Sequence, residues 1–226
     1  MTARMGVIFD VDGVLVDSYD AHYQSWILLG REQGFGMSEE QFVATFGRTS
    51  REVIRECWPH LATSDEQVKQ LDDRKEELYR EILRQDVPAM DGVHELIDAL
   101  SAANFALAVG SSGPPPNVDL TLEKLDRRDS FQAVVTGMDV QFGKPDPQVF
   151  LLGAQRLGLL PQQCLVIEDA PAGVQAAHAG GMVCIGLASR GRNPHDLLEA
   201  DYQVASLRDI DPDLVARLIS AGRADG

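Results

Sequence analysis

The chain has 226 residues, 44% hydrophobic and 24% charged, enough for a main domain plus a smaller module and wrong for a disordered or collagen-like protein. Its 20 Lys and Arg against 35 Asp and Glu give a formal net charge of −15, with no basic run, which excludes nucleic acid and membrane surfaces as expected partners. Three scattered cysteines (Cys57, Cys164, Cys184), a short apolar N-terminal stretch and the lack of any 18-residue apolar run argue against a disulfide framework, a zinc site, secretion and membrane insertion, so a cytoplasmic location is expected.

In chain order, the first predicted strand is 5–9, ending in "DVDGVLVD". From about residue 18 to 85 no strand-like run occurs, only helical patterns near 19–33, 38–46, 49–57 and 64–84, broken at Gly34 to Gly36, Gly47 and Pro59-His60. The turn-prone stretch Val87 to Gly92 marks the return. Strands are then predicted at 105–110, 132–135, 164–167, 183–186 and, more weakly, 202–204, separated by helices near 91–102, 116–125, 147–158 and 171–180. A last helix with a frayed end is expected after Asp211. Continuous rather than alternating hydrophobicity predicts strands buried on both faces. The expected fold is therefore α/β, a doubly wound, Rossmann-like parallel sheet core formed by 1–17 and 86–226, with an inserted all-helical domain over 18–85.

Open α/β sheets bind ligands beyond the carboxyl ends of their strands. Polar groups of a coherent kind stand there: Asp10 and Asp12, Ser111 and Ser112 after "FALAVG", Lys144 in "FGKPDP", and Glu168 with Asp169 after "CLVI". Asp10 and Asp12, two apart, can face the same side, and Gly13 lets the backbone turn away. Close carboxylates need a cation or a shared proton. With Asp169 as a further oxygen ligand and room for water, the set suits Mg²⁺ better than a fully caged Ca²⁺. Lys144 can neutralise a carboxylate and hold a phosphate oxygen, and Ser111 with the backbone N–H groups after it can donate to the other oxygens. Taken singly, each of these residues also fits a plainer role: a helix cap for the acids and Ser111, a solvated surface cation for Lys144.

Together, "DVDGVLVDS", "VGSS", "GKPDP" and "VIEDAPAGVQAA" resemble, in order and spacing, the four motifs of the haloacid dehalogenase superfamily of phosphotransferases, over essentially the whole chain. Asp12 places the likeness with the phosphatase and phosphomutase branches, since dehalogenases generally lack that acid. The resemblance implies Asp10 as a nucleophile forming an aspartyl-phosphate, Asp12 as general acid/base, and Ser111 and Lys144 as holders of the phosphoryl group. It implies Mg²⁺ bound by Asp10, the backbone carbonyl of Asp12, Asp169 and Glu168, with Gly13 and Ser112 lining the phosphate side.

The helical insertion resembles the cap of the subfamily that includes β-phosphoglucomutase and phosphoglycolate phosphatase, with hinges expected near Asp17-Ser18 and Arg84 to Pro88. By that likeness His22 and Lys75 could reach a substrate; read alone, they are an ordinary helix residue and part of a solvated face. Where β-phosphoglucomutases show an Arg-x-x-Ser-Leu signature, this chain has "FGRTSREVIREC", leaving Arg48 and Arg51 as candidate phosphate or sugar contacts. Hydrolysis of a small phosphorylated metabolite, a sugar phosphate in particular, is the expected reaction, by a monomer or dimer. A phosphosugar mutase and a catalytically idle binding protein are the alternatives.

Overall fold

The structure is a computed structural model that describes residues 4–46, 48–190 and 194–222; Gly47 and the expected frayed end after Gly222 lie outside the described residues. The chain divides into two compact units, Met1–Asp17 with Pro88–Gly226, and Ser18–Val87.

The first unit is built on six strands, β1 (Gly6–Phe9), β2 (Ala106–Gly110), β3 (Ala133–Val135), β4 (Cys164–Glu168), β5 (Val183–Leu187) and β6 (Tyr202–Val204). They pair in the order β3-β2-β1-β4-β5-β6, and every pairing is parallel. Chain direction across the sheet reverses at β1, so the crevice at its carboxyl end is the switch point where such sheets place ligands.

Parallel neighbours need crossover helices, and these cover the sheet. The helices α7 (Gln148–Leu157) and α8 (Pro171–Ala179) pack on the face that carries Ile8, Ala106, Ala108, Val166 and Cys184. Alternation turns Val7, Phe9, Leu107, Val109, Leu165 and Ile167 to the opposite face, where α5 (Val93–Ala102) and α9 (Pro212–Gly222) pack on the strands. All six of those side chains are fully buried, which is why the runs read as unbroken hydrophobicity. The helix α6 (Pro115–Lys124) follows β2.

The second unit is helical throughout its regular structure: α1 (Tyr19–Gln33), α2 (Glu39–Thr45), α3 (Ser50–Cys57) and α4 (Asp65–Gln85). Ser38 with Gln41 and Thr49 with Glu52 form capping boxes at α2 and α3, and Ser64 caps α4. These hydroxyls supply the acceptors that the first N–H groups of each helix lack. Its core is aromatic, with Trp26, Phe42 and Trp58 packed among Leu29, Ile54, Val68 and Leu78. The helix α4 continues through Arg84 and Gln85 before the chain re-enters the first unit, where Asp17 N–H donates to Pro88 O (2.8 Å) and Met90 N–H to Leu15 O (3.1 Å). Among the described residues no helix is long and apolar enough to cross a membrane.

Candidate active site

Strand register decides which side chains meet. Phe9 pairs with Ile167 and with Val109, and Asp10 N–H donates to Ile167 O (3.0 Å), so Asp10 leaves the sheet beside Glu168 on one flank and Gly110 on the other. Lys144 Nζ lies between the two acids, 2.7 Å from Asp10 Oδ1 and 2.6 Å from Glu168 Oε1, and 4.7 Å from the Phe150 ring centroid. All three side chains are close to fully buried.

Carboxylate oxygens of Asp10, Glu168 and Asp169 lie within 4.8 Å of one another. Three buried carboxylates against one ammonium leave the cluster formally two charges negative. Burial pushes the Asp10 carboxyl well above its usual range against the pull of Lys144, with Glu168, Asp169 and Asp12 adding to the rise. Burial also opposes the charge of Lys144, but Asp10 and Glu168 outweigh it and hold the ammonium above the ordinary lysine range. An all-oxygen set with uncompensated negative charge is the donor chemistry of a hard divalent cation, and these residues fit Mg²⁺.

Two glycines keep the carboxylates where they are. Gly13 has φ +77°, and a Cβ there would stand 2.0 Å from Asp169 Oδ2. On α8, a Cβ on Gly173 would stand 1.9 Å from Glu168 Cδ. Glu168 uses both oxygens: Oε1 accepts from Lys144, and Oε2 accepts from the N–H groups of Asp169 (2.8 Å) and Ala170 (2.9 Å).

Asp12 is not a member of the acidic triple. The chain turns after β1, with Gly13 N–H donating to Val16 O (2.8 Å); Asp12 is near enough to Asp10 to help raise its carboxyl, but its carboxylate is outside the triple. Asp12 Oδ2 instead lies toward the other loop, 4.0 Å from where a Cβ on Gly113 would stand. Ser111 Oγ accepts from Gly113 N–H (3.0 Å), while Ser112 is exposed. Ser111 does not cap α6, whose N-cap is Pro114. The expected row of phosphate-binding amides is thinner than the motif suggests: Gly113 N–H is spent on Ser111, and Pro114, Pro115 and Pro116 have none. Ser112 N–H is the remaining candidate donor of that stretch.

Residues 7–187 match the haloacid dehalogenase-like hydrolase family. The chain belongs to this family. It is 30% identical over 199 residues to the chloroplastic 5-amino-6-(5-phospho-D-ribitylamino)uracil phosphatase of Arabidopsis thaliana, covering 82% of this chain but spanning only 50% of that protein. Similarity to hexitol phosphatase A of Escherichia coli is 33% over 205 residues, covering 91% of this chain and 92% of the relative. Among solved structures, a family IA, variant 3 hydrolase of Entamoeba histolytica superposes with TM-score 0.87 at 27% identity, covering 96% of this chain and 99% of that one.

The other residues singled out in this family member lie in the helical unit. Lys75 is 2% exposed, with Nζ 2.8 Å from His22 Nδ1 and 2.9 Å from Glu76 Oε1, and near the rings of Trp26 and Tyr79. An ammonium only donates, so His22 Nδ1 is the acceptor. His22 stacks on Tyr79 with centroids 4.1 Å apart, and Ser50 Oγ donates to Glu76 Oε1 (2.7 Å). Arg48 pairs with Glu56 (2.8 Å) and Arg51 with Asp72 (2.7 Å).

Burial alone would raise the Glu76 carboxyl, but Lys75 and the hydrogen bonds from Ser50 and Lys75 hold it down to about 2, against an ordinary 4.5. A lowered folded-state value means stability that is full above the unfolded value and is lost as pH falls from about 4.5 to about 2, on the order of 3 kcal/mol. Lys75→Met is expected to destabilise this unit by about 3 kcal/mol at neutral pH, because Glu76 is left buried without its cation, and to flatten the acid dependence. Both tryptophans, Trp26 and Trp58, belong to this unit, so urea unfolding read by tryptophan fluorescence at several pH values reports it. An unchanged urea midpoint would refute the pairing.

Two residues of the first unit escape the strand-end reading. Ser189, whose Oγ donates to Asp169 Oδ2 (2.6 Å), stands two residues after β5, and extending the same rule to the fifth strand would have found it. Gly173 falls inside the quoted "VIEDAPAGVQAA" stretch, but only the packed position of Glu168 shows why a glycine is needed there.

Proposed function

We propose that the chain is a Mg²⁺-dependent phosphatase that hydrolyses a small phosphorylated metabolite, a sugar or polyol phosphate, through an aspartyl-phosphate on Asp10. The observation that carries this reading is Lys144 clamped between Asp10 and Glu168 in the β1/β4 crevice, with Asp169 in the same acidic triple. Family membership and the likeness to hexitol phosphatase A support the reaction class and the kind of substrate.

Asp10 and Asp169, with the Asp12 carbonyl, would hold Mg²⁺; Glu168, both oxygens already engaged, serves chiefly to hold Lys144. When bound, the cation offsets negative charge on the phosphoryl oxygens and keeps Asp10 ionised. The Asp10 carboxylate attacks phosphorus, an O–P bond to Asp10 forms, and the bond to the substrate oxygen breaks. Asp12, turned toward the Ser111 loop, protonates the departing oxygen. It then takes a proton from the water that attacks the aspartyl-phosphate, releasing phosphate and restoring Asp10. Lys144 and Ser111 hold the transferring group, and Lys144 needs no proton transfer to keep its charge. Arg48, His22 and Lys75 belong to the unit expected to select the substrate.

Incubation of the purified chain with Mg²⁺ and a panel of sugar and polyol phosphates is expected to release inorganic phosphate. Glucose 6-phosphate accumulating from β-glucose 1-phosphate and a bisphosphate activator, without free phosphate, would instead support a mutase. No release from any member of a broad panel would overturn the enzymatic reading.

A further inference from the structure

Strand β5 ends at Leu187, and the chain then turns tightly, with Ser189 N–H donating to Leu187 O (2.8 Å) in a three-residue turn while Ala188 N–H stays in the sheet through Val204 O (2.9 Å). That turn delivers the Ser189 hydroxyl to Asp169 Oδ2 at 2.6 Å, a short charge-assisted contact between two buried side chains. On its other side the contact is closed by Gly13, where a Cβ would stand 2.0 Å from Asp169 Oδ2 and 3.1 Å from Ser189 Oγ. The Asp169 carboxylate is thus wedged between a hydroxyl donor and a bare backbone. α8 begins two residues further on, with Ala170 at its N-cap.

We propose that Ser189 is a positioning residue of the cation site: by holding Asp169 Oδ2 it keeps the other carboxylate oxygen turned toward Asp10 and Glu168. This rests on the proposed Mg²⁺ site and adds to it a residue from a third strand end. Without the hydroxyl, Oδ2 is a buried acceptor with one donor fewer, and the carboxylate gains freedom to rotate away from the cluster.

The test is a calorimetric Mg²⁺ titration of the full chain and of its Ser189→Ala and Ser189→Gly variants, with melting temperatures recorded in the presence of chelator. Both variants are expected to bind Mg²⁺ about tenfold more weakly, with only a few degrees lost from the metal-free melting temperature for the missing hydrogen bond. A purely structural role would lower the melting temperature and leave the affinity alone. Either variant binding Mg²⁺ as tightly as a parent that binds it overturns the role of Ser189 and leaves the cation site standing. A parent that binds no Mg²⁺ overturns the cation site and the role of Ser189 together.

Discussion

Asp10→Asn is expected to lower phosphate release from an aryl phosphate, at saturating Mg²⁺, by at least about a thousandfold, and to leave the metal-free protein as stable as the parent or more so. The two halves have different causes. An amide cannot form the aspartyl-phosphate, so turnover loses its first step. Stability moves the other way because burial, with smaller contributions from Glu168, Asp169 and Asp12, raises the Asp10 carboxyl well above the usual range despite Lys144. Ionising a group with a raised folded-state value costs stability as pH rises through that value, and Asn removes that cost. Lys144 keeps its second partner, Glu168 Oε1 at 2.6 Å, so the ammonium is not stranded. The measurements are initial rates of phosphate release and chelator-treated melting curves. Equal rates for variant and parent would remove Asp10 as nucleophile, and a strongly lowered melting point would contradict the charge balance.

Gly173→Ala is expected to be nearly as damaging, although it adds one methyl group in a helix. In an exposed helix interior this exchange stabilises by about 1 kcal/mol. Here the new Cβ would stand 1.9 Å from Glu168 Cδ and Oε1, so the carboxylate must leave its place. Leaving breaks the bond to Lys144 and the two bonds from the Asp169 and Ala170 amides. Hydrogen bonds to charged groups contribute about 1.5–3 kcal/mol each, and losing three while partly recovering contacts elsewhere gives a net loss of about 3 kcal/mol. Lys144 would then answer to Asp10 alone, and phosphate release is expected to drop at least about a hundredfold. Circular dichroism melting and phosphate release check both numbers. A Gly173→Ala protein as stable and active as the parent would show that Glu168 is not pinned against α8.

Legibility differed between the two units. In the first, apolar runs mark the strands to within a residue or two, because β1, β2 and β4 are buried on both faces; β6, with Tyr202 and Gln203 exposed, is the weakest of the runs. The acids, the lysine and the serine at their ends were readable for the complementary reason: charge beside such runs demands an account. In the helical unit, helix positions were equally readable, from caps and breaks such as Ser38, Thr49 and Ser64. Lys75 was not. In "RKEELY" it looks like one charge among several on a wet face, yet it is the one turned inward, onto His22, Glu76 and two aromatic rings. A helical period assigns faces, and only the neighbouring helices decide which face is dry.

By itself, then, the sequence determined the α/β class and singled out Asp10, Lys144, Glu168 and Asp169 as strand-end candidates, because hydrophobic run length and strand-end chemistry are local properties of the chain. Tertiary structure decided how these groups divide the work. It left Asp12 outside the acidic triple, tied Glu168 to Lys144 and two amides, spent the Gly113 N–H on Ser111, and brought Ser189 from the end of β5 to Asp169. The contacts of Lys144 and Ser189 join residues 20 to 134 positions apart, which no local reading of the chain relates, and the register of β1 with β4 sets Asp10 beside Glu168.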